Sequence, residues 1–143
     1  MSVKQISVFL ENKKGRLAEL TEILEREGIN MRALSLADTA DFGVLRLIVD
    51  DVDRCVAVLR AAGYVAQVTE VIAIEVEDRP GGLHRILKVL GAAAINVEYL
   101  YAYVEQRKAA AVVICKVDDR GKAVSALQKA GIPSISADVL KSL

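Results

Sequence analysis

The sequence predicts an α+β protein of two tandem units, 1–69 and 70–143, each a strand–helix–strand–strand–helix–strand run with an antiparallel sheet. Three observations predict it. The chain repeats itself once along its length. Within each copy the apolar residues switch between a period of two and a period near 3.6. A glycine-bearing turn joins the first strand of each copy to its first helix.

The repeat is visible residue by residue. At an offset of 66, Ile6/Ile72, Glu11/Glu77, Gly15/Gly81, Leu17/Leu83, Leu24/Leu90, Ile29/Ile95, Asn30/Asn96 and Leu34/Leu100 coincide. Beyond about residue 43 the offset becomes 68, and Val44/Val112, Asp50/Asp118, Asp51/Asp119, Leu59/Leu127 and Gly63/Gly131 coincide. The two extra residues of the second copy fall between its middle strands, and an even insertion preserves which face each side chain takes.

Taken in order, residues 4–10 alternate, with Ile6, Val8 and Leu10 on one face and Ser7 and Phe9 on the other, as a half-buried strand does. Residues 12–15 turn. Leu17, Leu20, Ile23 and Leu24 recur at helical spacing, and Gly28 stops the helix. Residues 30–37 and 42–49 are strands joined by a turn at 38–41. Asp50 or Asp51 caps a second helix with Cys55, Val56 and Leu59 on its apolar stripe, and a short strand at 64–68 closes the copy. This order is the ferredoxin-like split βαβ arrangement. The second copy repeats it with strands at 71–76, 95–104, 109–117 and about 134–139, and helices at about 81–93 and 119–130. Residues 68–70 join the copies almost without slack.

By parity, Ile72, Ile74, Val76, Leu100, Ala102, Val113, Cys115 and Val117 face the helices of the second copy. The opposite face carries Ala73, Glu75, Val97, Val112, Ile114 and the alternating Tyr99, Tyr101 and Tyr103. In the first copy it carries Phe9, Ala33 and Ile48. Such faces are too apolar to stand bare in water, so another copy or another chain is expected to cover them. The tyrosine stripe reads as packing ahead of ligand stacking.

Composition narrows the function. Nineteen Lys+Arg balance nineteen Asp+Glu, without the basic excess that nucleic acid or an anionic membrane requires. The longest apolar run, 109–115, is too short to span a bilayer, and no secretory signal follows Met1, so a cytoplasmic protein is expected. The two cysteines, 55 and 115, form neither a disulfide framework nor a metal motif. His84, the only histidine, has no nucleophile or carboxylate at a catalytic spacing, and the Asp-Asp pairs are better explained as helix caps. The expectation is a non-enzyme with no cofactor and no metal.

The stretch Glu77-Asp78-Arg79-Pro80-Gly81-Gly82-Leu83 stands between a strand and a helix. Its backbone amides lie at a positive helix end, where a carboxylate docks. Asp78, or the amides of Asn12, Asn30 and Asn96, suits an ammonium, while Asp78 and Asn12 alternatively cap the helix. Asp78, Pro80, Gly81, Leu83, Ile95 and Asn96, at this spacing in a βαββαβ unit, resemble an ACT domain. The first copy is degenerate, with Lys14 in the place of Pro and Asn12 in the place of Asp, while Gly15, Leu17, Ile29 and Asn30 are kept.

The resemblance covers nearly the whole chain. It implies a regulatory module that binds a free amino acid or related small carboxylate where ACT units meet, the first turn of one facing the strand-two start of its neighbour. The implied site residues are Asn12, Gly15, Arg16, Leu17, Asn30 and Met31 in the first copy and Asp78, Arg79, Pro80, Gly81, Gly82, Leu83, Asn96 and Val97 in the second. It also implies a homodimer and a partner enzyme of amino-acid metabolism, or a transporter, controlled in trans. The alternative is an ACT-like scaffold that has lost its ligand and acts only in protein–protein assembly.

Overall fold

A computed structural model of the protein describes residues 3–38, 41–103 and 110–142. The elements run β1 (Val3–Glu11), α1 (Arg16–Arg26), β2 (Met31–Asp38), β3 (Phe42–Val49), α2 (Val52–Ala61), β4 (Val65–Glu77), α3 (Gly82–Ala92), β5 (Val97–Ala102), β6 (Ala110–Val117), α4 (Arg120–Lys129), β7 (Ser134–Ile135) and α5 (Ala137–Lys141). The described residues form two compact units, Lys4–Thr69 and a second that takes in the residues from Glu70 on. Part of the turn expected at 38–41, and the inserted pair expected between the middle strands of the second copy, fall at 39–40 and 104–109, outside the described residues.

In the first unit the strand order is β2-β3-β1-β4, the order a split βαβ unit requires. β1 and β2 both pair antiparallel with β3, with Ile6 opposite Leu47 and Leu36 opposite Leu45. Ile6, Val8, Leu10, Leu45, Leu47 and Val49 meet Leu20 and Leu24 of α1 and Cys55, Val56 and Leu59 of α2 in one core. Alternation explains the strands, since every second residue points at the helices. Leu34 and Leu36 share that face yet remain exposed, because β2 is the outermost strand, at the margin of the sheet.

In the second unit β5, β6 and β4 lie side by side and β7 pairs with the other edge of β4. Ile72, Ile74, Val76, Val113, Cys115 and Val117 form the core with Ile86 and Leu90 of α3 and Ala123 and Leu127 of α4. On the opposite face Ala73, Val112, Ile114, Tyr101 and Tyr103 are buried. The Tyr103 hydroxyl donates to the Leu140 carbonyl of α5, as packing residues do.

Three expectations need correction. Val97, expected on the face away from the helices, packs on the helix-side core, because the register shifts between Val97 and Tyr99 and breaks the alternation. The strands expected at 64–68 and 71–76 are one continuous strand, β4, because residues 68–70 contain no turn-forming residue. The strand expected at 134–139 ends after Ile135. Ser136 turns its hydroxyl back to accept from the Val139 amide, caps α5, and sends the chain into a helix.

The Asp-Asp pairs divide their labour. Asp51 accepts from the Arg54 amide and Asp119 from the Lys122 amide, so each caps its helix. The preceding aspartates reach across the sheet instead. Asp50 pairs with Arg32, and Asp118 accepts from the Asn96 amide at 3.0 Å. Asp119→Ala is expected to lower stability to urea by about 1 kcal/mol through loss of the cap. Gly91→Ala, inside α3 with open space where the methyl would go, is expected to raise it by about 0.5–1 kcal/mol.

Candidate functional site

Both strand-to-helix turns have the same backbone construction. In the first unit the Lys13 amide donates to the Glu11 carbonyl and the Arg16 amide to the Lys13 carbonyl. In the second, Arg79 donates to Glu77 and Gly82 to Arg79. Each turn ends on a left-handed glycine, Gly15 at φ 84° and Gly81 at φ 87°, which serves as the helix N-cap without a side-chain cap bond. The N-cap positions of α1 and α3 are thus held by Gly15 and Gly81 rather than by Asn12 and Asp78. The left-handed region costs an L residue about 1–2 kcal/mol, and glycine avoids that cost.

What surrounds the turns differs. In the first, Lys13 and Arg16 both pair with Glu11, at 2.7 and 3.2 Å, and Arg16 also reaches Glu19 at 3.5 Å. Lys13, by hydrogen bond and charge, and then Arg16 hold the Glu11 carboxyl below the usual range. Glu19 in the first turn of α1 offsets that helix's positive end. The Tyr64 hydroxyl donates to Glu19 at 3.0 Å, and burial first, then that bond, raises its pKa. In the second unit Arg79 pairs with Glu77, and the first turn of α3 contains no acidic residue. The positive end of α3 is thus not offset by its own helix.

A cavity of about 640 Å³ opens beside the second turn. Arg79, Pro80, Gly81 and Gly82 line it, four of the residues expected at a site. Asp78 and Leu83 belong to the same turn without lining the cavity. Asn96 and Val97 lie at the start of β5, where Asn96 is joined through its backbone to Asp118 and Val97 packs on the core. The matching space in the first unit is about 270 Å³, lined by Phe9, Glu11, Arg16, Glu19 and Tyr64 among others. Asn12, Arg16 and Leu17 line a further space of about 160 Å³ beside Leu36 and Gly43. Gly15 and Asn30 line neither, and Met31 packs on the first core.

The residues expected at a site form only one side of the 640 Å³ cavity. Its other wall is Gly131, Ile132, Pro133, Ser134, Ser136 and Val139. Pro133 has no amide to give the β4 ladder, so β7 begins only at Ser134, and Glu75 and Glu77 are left beside a gap. The available signal was the place where the repeat breaks down, Pro133-Ser134 against Val65-Ala66.

The family model described as an ACT domain pair matches residues 1–140. The chain belongs to the ACT family. Its units are thus regulatory modules of an amino-acid-binding family with a ferredoxin-like fold, as the motif resemblance implied. Among solved structures, protein BT0572 from Bacteroides thetaiotaomicron is 36% identical, with a TM-score of 0.92 over 100% of this chain and 98% of that one. The ligand-free regulatory subunit of aspartate kinase from Thermus thermophilus shares the fold at 15% identity and a TM-score of 0.65, over 89% and 91% of the two chains. The corresponding subunit from Thermus flavus does so at 14% and 0.61, over 90% and 92%. No curated protein matches the chain. Among the described residues no helix of this ACT pair is long and apolar enough to cross a membrane.

The cysteines of the ACT pair are core residues. Burial, joined at Cys55 by the charge of Asp51, pushes both thiols up to about 11. Neither is expected to react with a thiol reagent at pH 8 in the folded protein, and both are expected to react in denaturant, because the thiolate is the nucleophile. Gly82→Ala is expected to cost about 1–3 kcal/mol in a denaturation experiment, since the added methyl would overlap the Glu77 carbonyl oxygen.

Proposed function

We propose that this ACT pair is an amino-acid sensor. A free amino acid docks at the turn of residues 78–83 with its carboxylate toward the start of α3, in a homodimer where an ACT unit of a second chain completes the site. The observation that carries the proposal is the left-handed Gly81 turn at a helix whose first turn holds no acidic residue, opening onto a 640 Å³ cavity. That volume lies in the range of small-molecule pockets, roughly 300–1,000 Å³. Signalling follows if the amino acid binds one arrangement of the protein better than another, because a ligand shifts an equilibrium only by its differential affinity. The recipient is a separate enzyme or transporter in the cytoplasm. The shared fold with regulatory subunits of aspartate kinase supports an enzyme of amino-acid metabolism.

A scaffold that binds no ligand is the second reading, favoured by the first unit. There the ionic groups of the turn pair with one another, and Phe42, Leu34 and Leu36 stand exposed. A thermal-denaturation screen against the twenty amino acids separates the two. Sensing requires at least one to stabilise the protein, by about 2.7 kcal/mol at a hundredfold excess over its Kd. No stabilisation by any at millimolar concentration leaves the scaffold. Asp78→Ala and Asn96→Ala are each expected to weaken the amino acid that binds; unchanged affinity in both removes the proposed ammonium contacts.

A further inference from the structure

The repeat makes each unit a control for the other. Position 66 of the first unit is alanine, a methyl buried in the core. Its counterpart two residues after the equivalent of Tyr64 is Ser134, which is only 9% exposed. Its hydroxyl is buried and has no hydrogen-bond partner among the described residues. Such a group is costly, so a hydroxyl kept where a methyl suffices points to a partner from outside the chain. Ser134 lies opposite Ile74, on the helix side of the sheet, and lines the cavity. Buried Ile86 and Ile132 line it beside Ser134.

The rim is charged. Glu75 and Arg85 are exposed there, and Gly81 and Gly82 bring the positive end of α3. A zwitterion finds its complement at this rim, which directs its side chain to the floor. We infer that this cavity binds one amino acid per chain and selects, through Ser134, a short aliphatic side chain that carries a hydroxyl. This inference rests on the sensor reading and adds the selectivity of its site. The first unit offers no equivalent: its smaller space holds Tyr64, Glu19, Arg16 and Glu11 bonded to one another, and Arg16 occupies the position of Gly82.

The test is calorimetric titration of the full chain with L-threonine and L-valine, near-isosteres that differ by hydroxyl against methyl. Threonine is expected to bind about five- to tenfold more tightly, at one per chain, the discrimination of one satisfied hydrogen bond. In Ser134→Ala the preference is expected to fall below about twofold with valine affinity unchanged. This variant copies Ala66, so a melting temperature at or above that of the parent is expected. Ser134→Cys, which keeps the size and weakens the bond, is expected to lie between. Equal affinity for the two ligands, a threonine preference that survives Ser134→Ala, or two sites per chain overturns the inference. An amino acid that binds with sensitivity to Asp78→Ala but not to Ser134→Ala overturns it while the sensor reading stands. Failure of all twenty amino acids to bind overturns both.

Discussion

A strand that hands directly to a helix lying across its own sheet must reverse within a few residues, and here one left-handed backbone position in each unit makes that reversal. Gly15 and Gly81 hold it, each flanked by the same pair of backbone hydrogen bonds. Everything else about the turn follows. The N-cap residue of each helix is a glycine, which has no side chain of its own to turn back on the first amides. A turn built this way positions the helix for packing and leaves an anion-seeking end at the surface.

The two units show what chemistry does with that common geometry. In the first, Arg16, Glu11, Glu19 and Tyr64 satisfy one another, and the helix end is balanced from within. In the second, glycine replaces arginine at position 82, α3 lacks the acidic residue, and Pro133 keeps β7 from closing on the end of β4. The backbone is conserved between the copies and the electrostatics are not. Duplication of this kind leaves one copy free to keep the structure while the other keeps an opening.

Ser134 shows the same division at the level of one atom. An alanine at the matching place packs without residue, while the serine hydroxyl is buried without a partner among the described residues. The cores on either side are otherwise alike, with branched aliphatics from three strands set against leucines and isoleucines of two helices. Polar exceptions in so regular a pattern are where function is to be sought, because packing alone does not select them.

The sequence by itself determined the two units, most of the helix-facing residues and the place of both turns. These are set by local rules: alternation for strands, 3.6-residue spacing for helices, and the chirality that only glycine escapes. It also singled out Arg79, Pro80, Gly81 and Gly82, which line the larger cavity. Only the tertiary structure decided that residues 75–82 and 131–139 share one cavity, that Asn96 belongs with Asp118, and that the last strand yields to α5. Those outcomes depend on which distant segments the fold brings side by side and how completely they close, and neither periodicity nor turn chemistry carries that information.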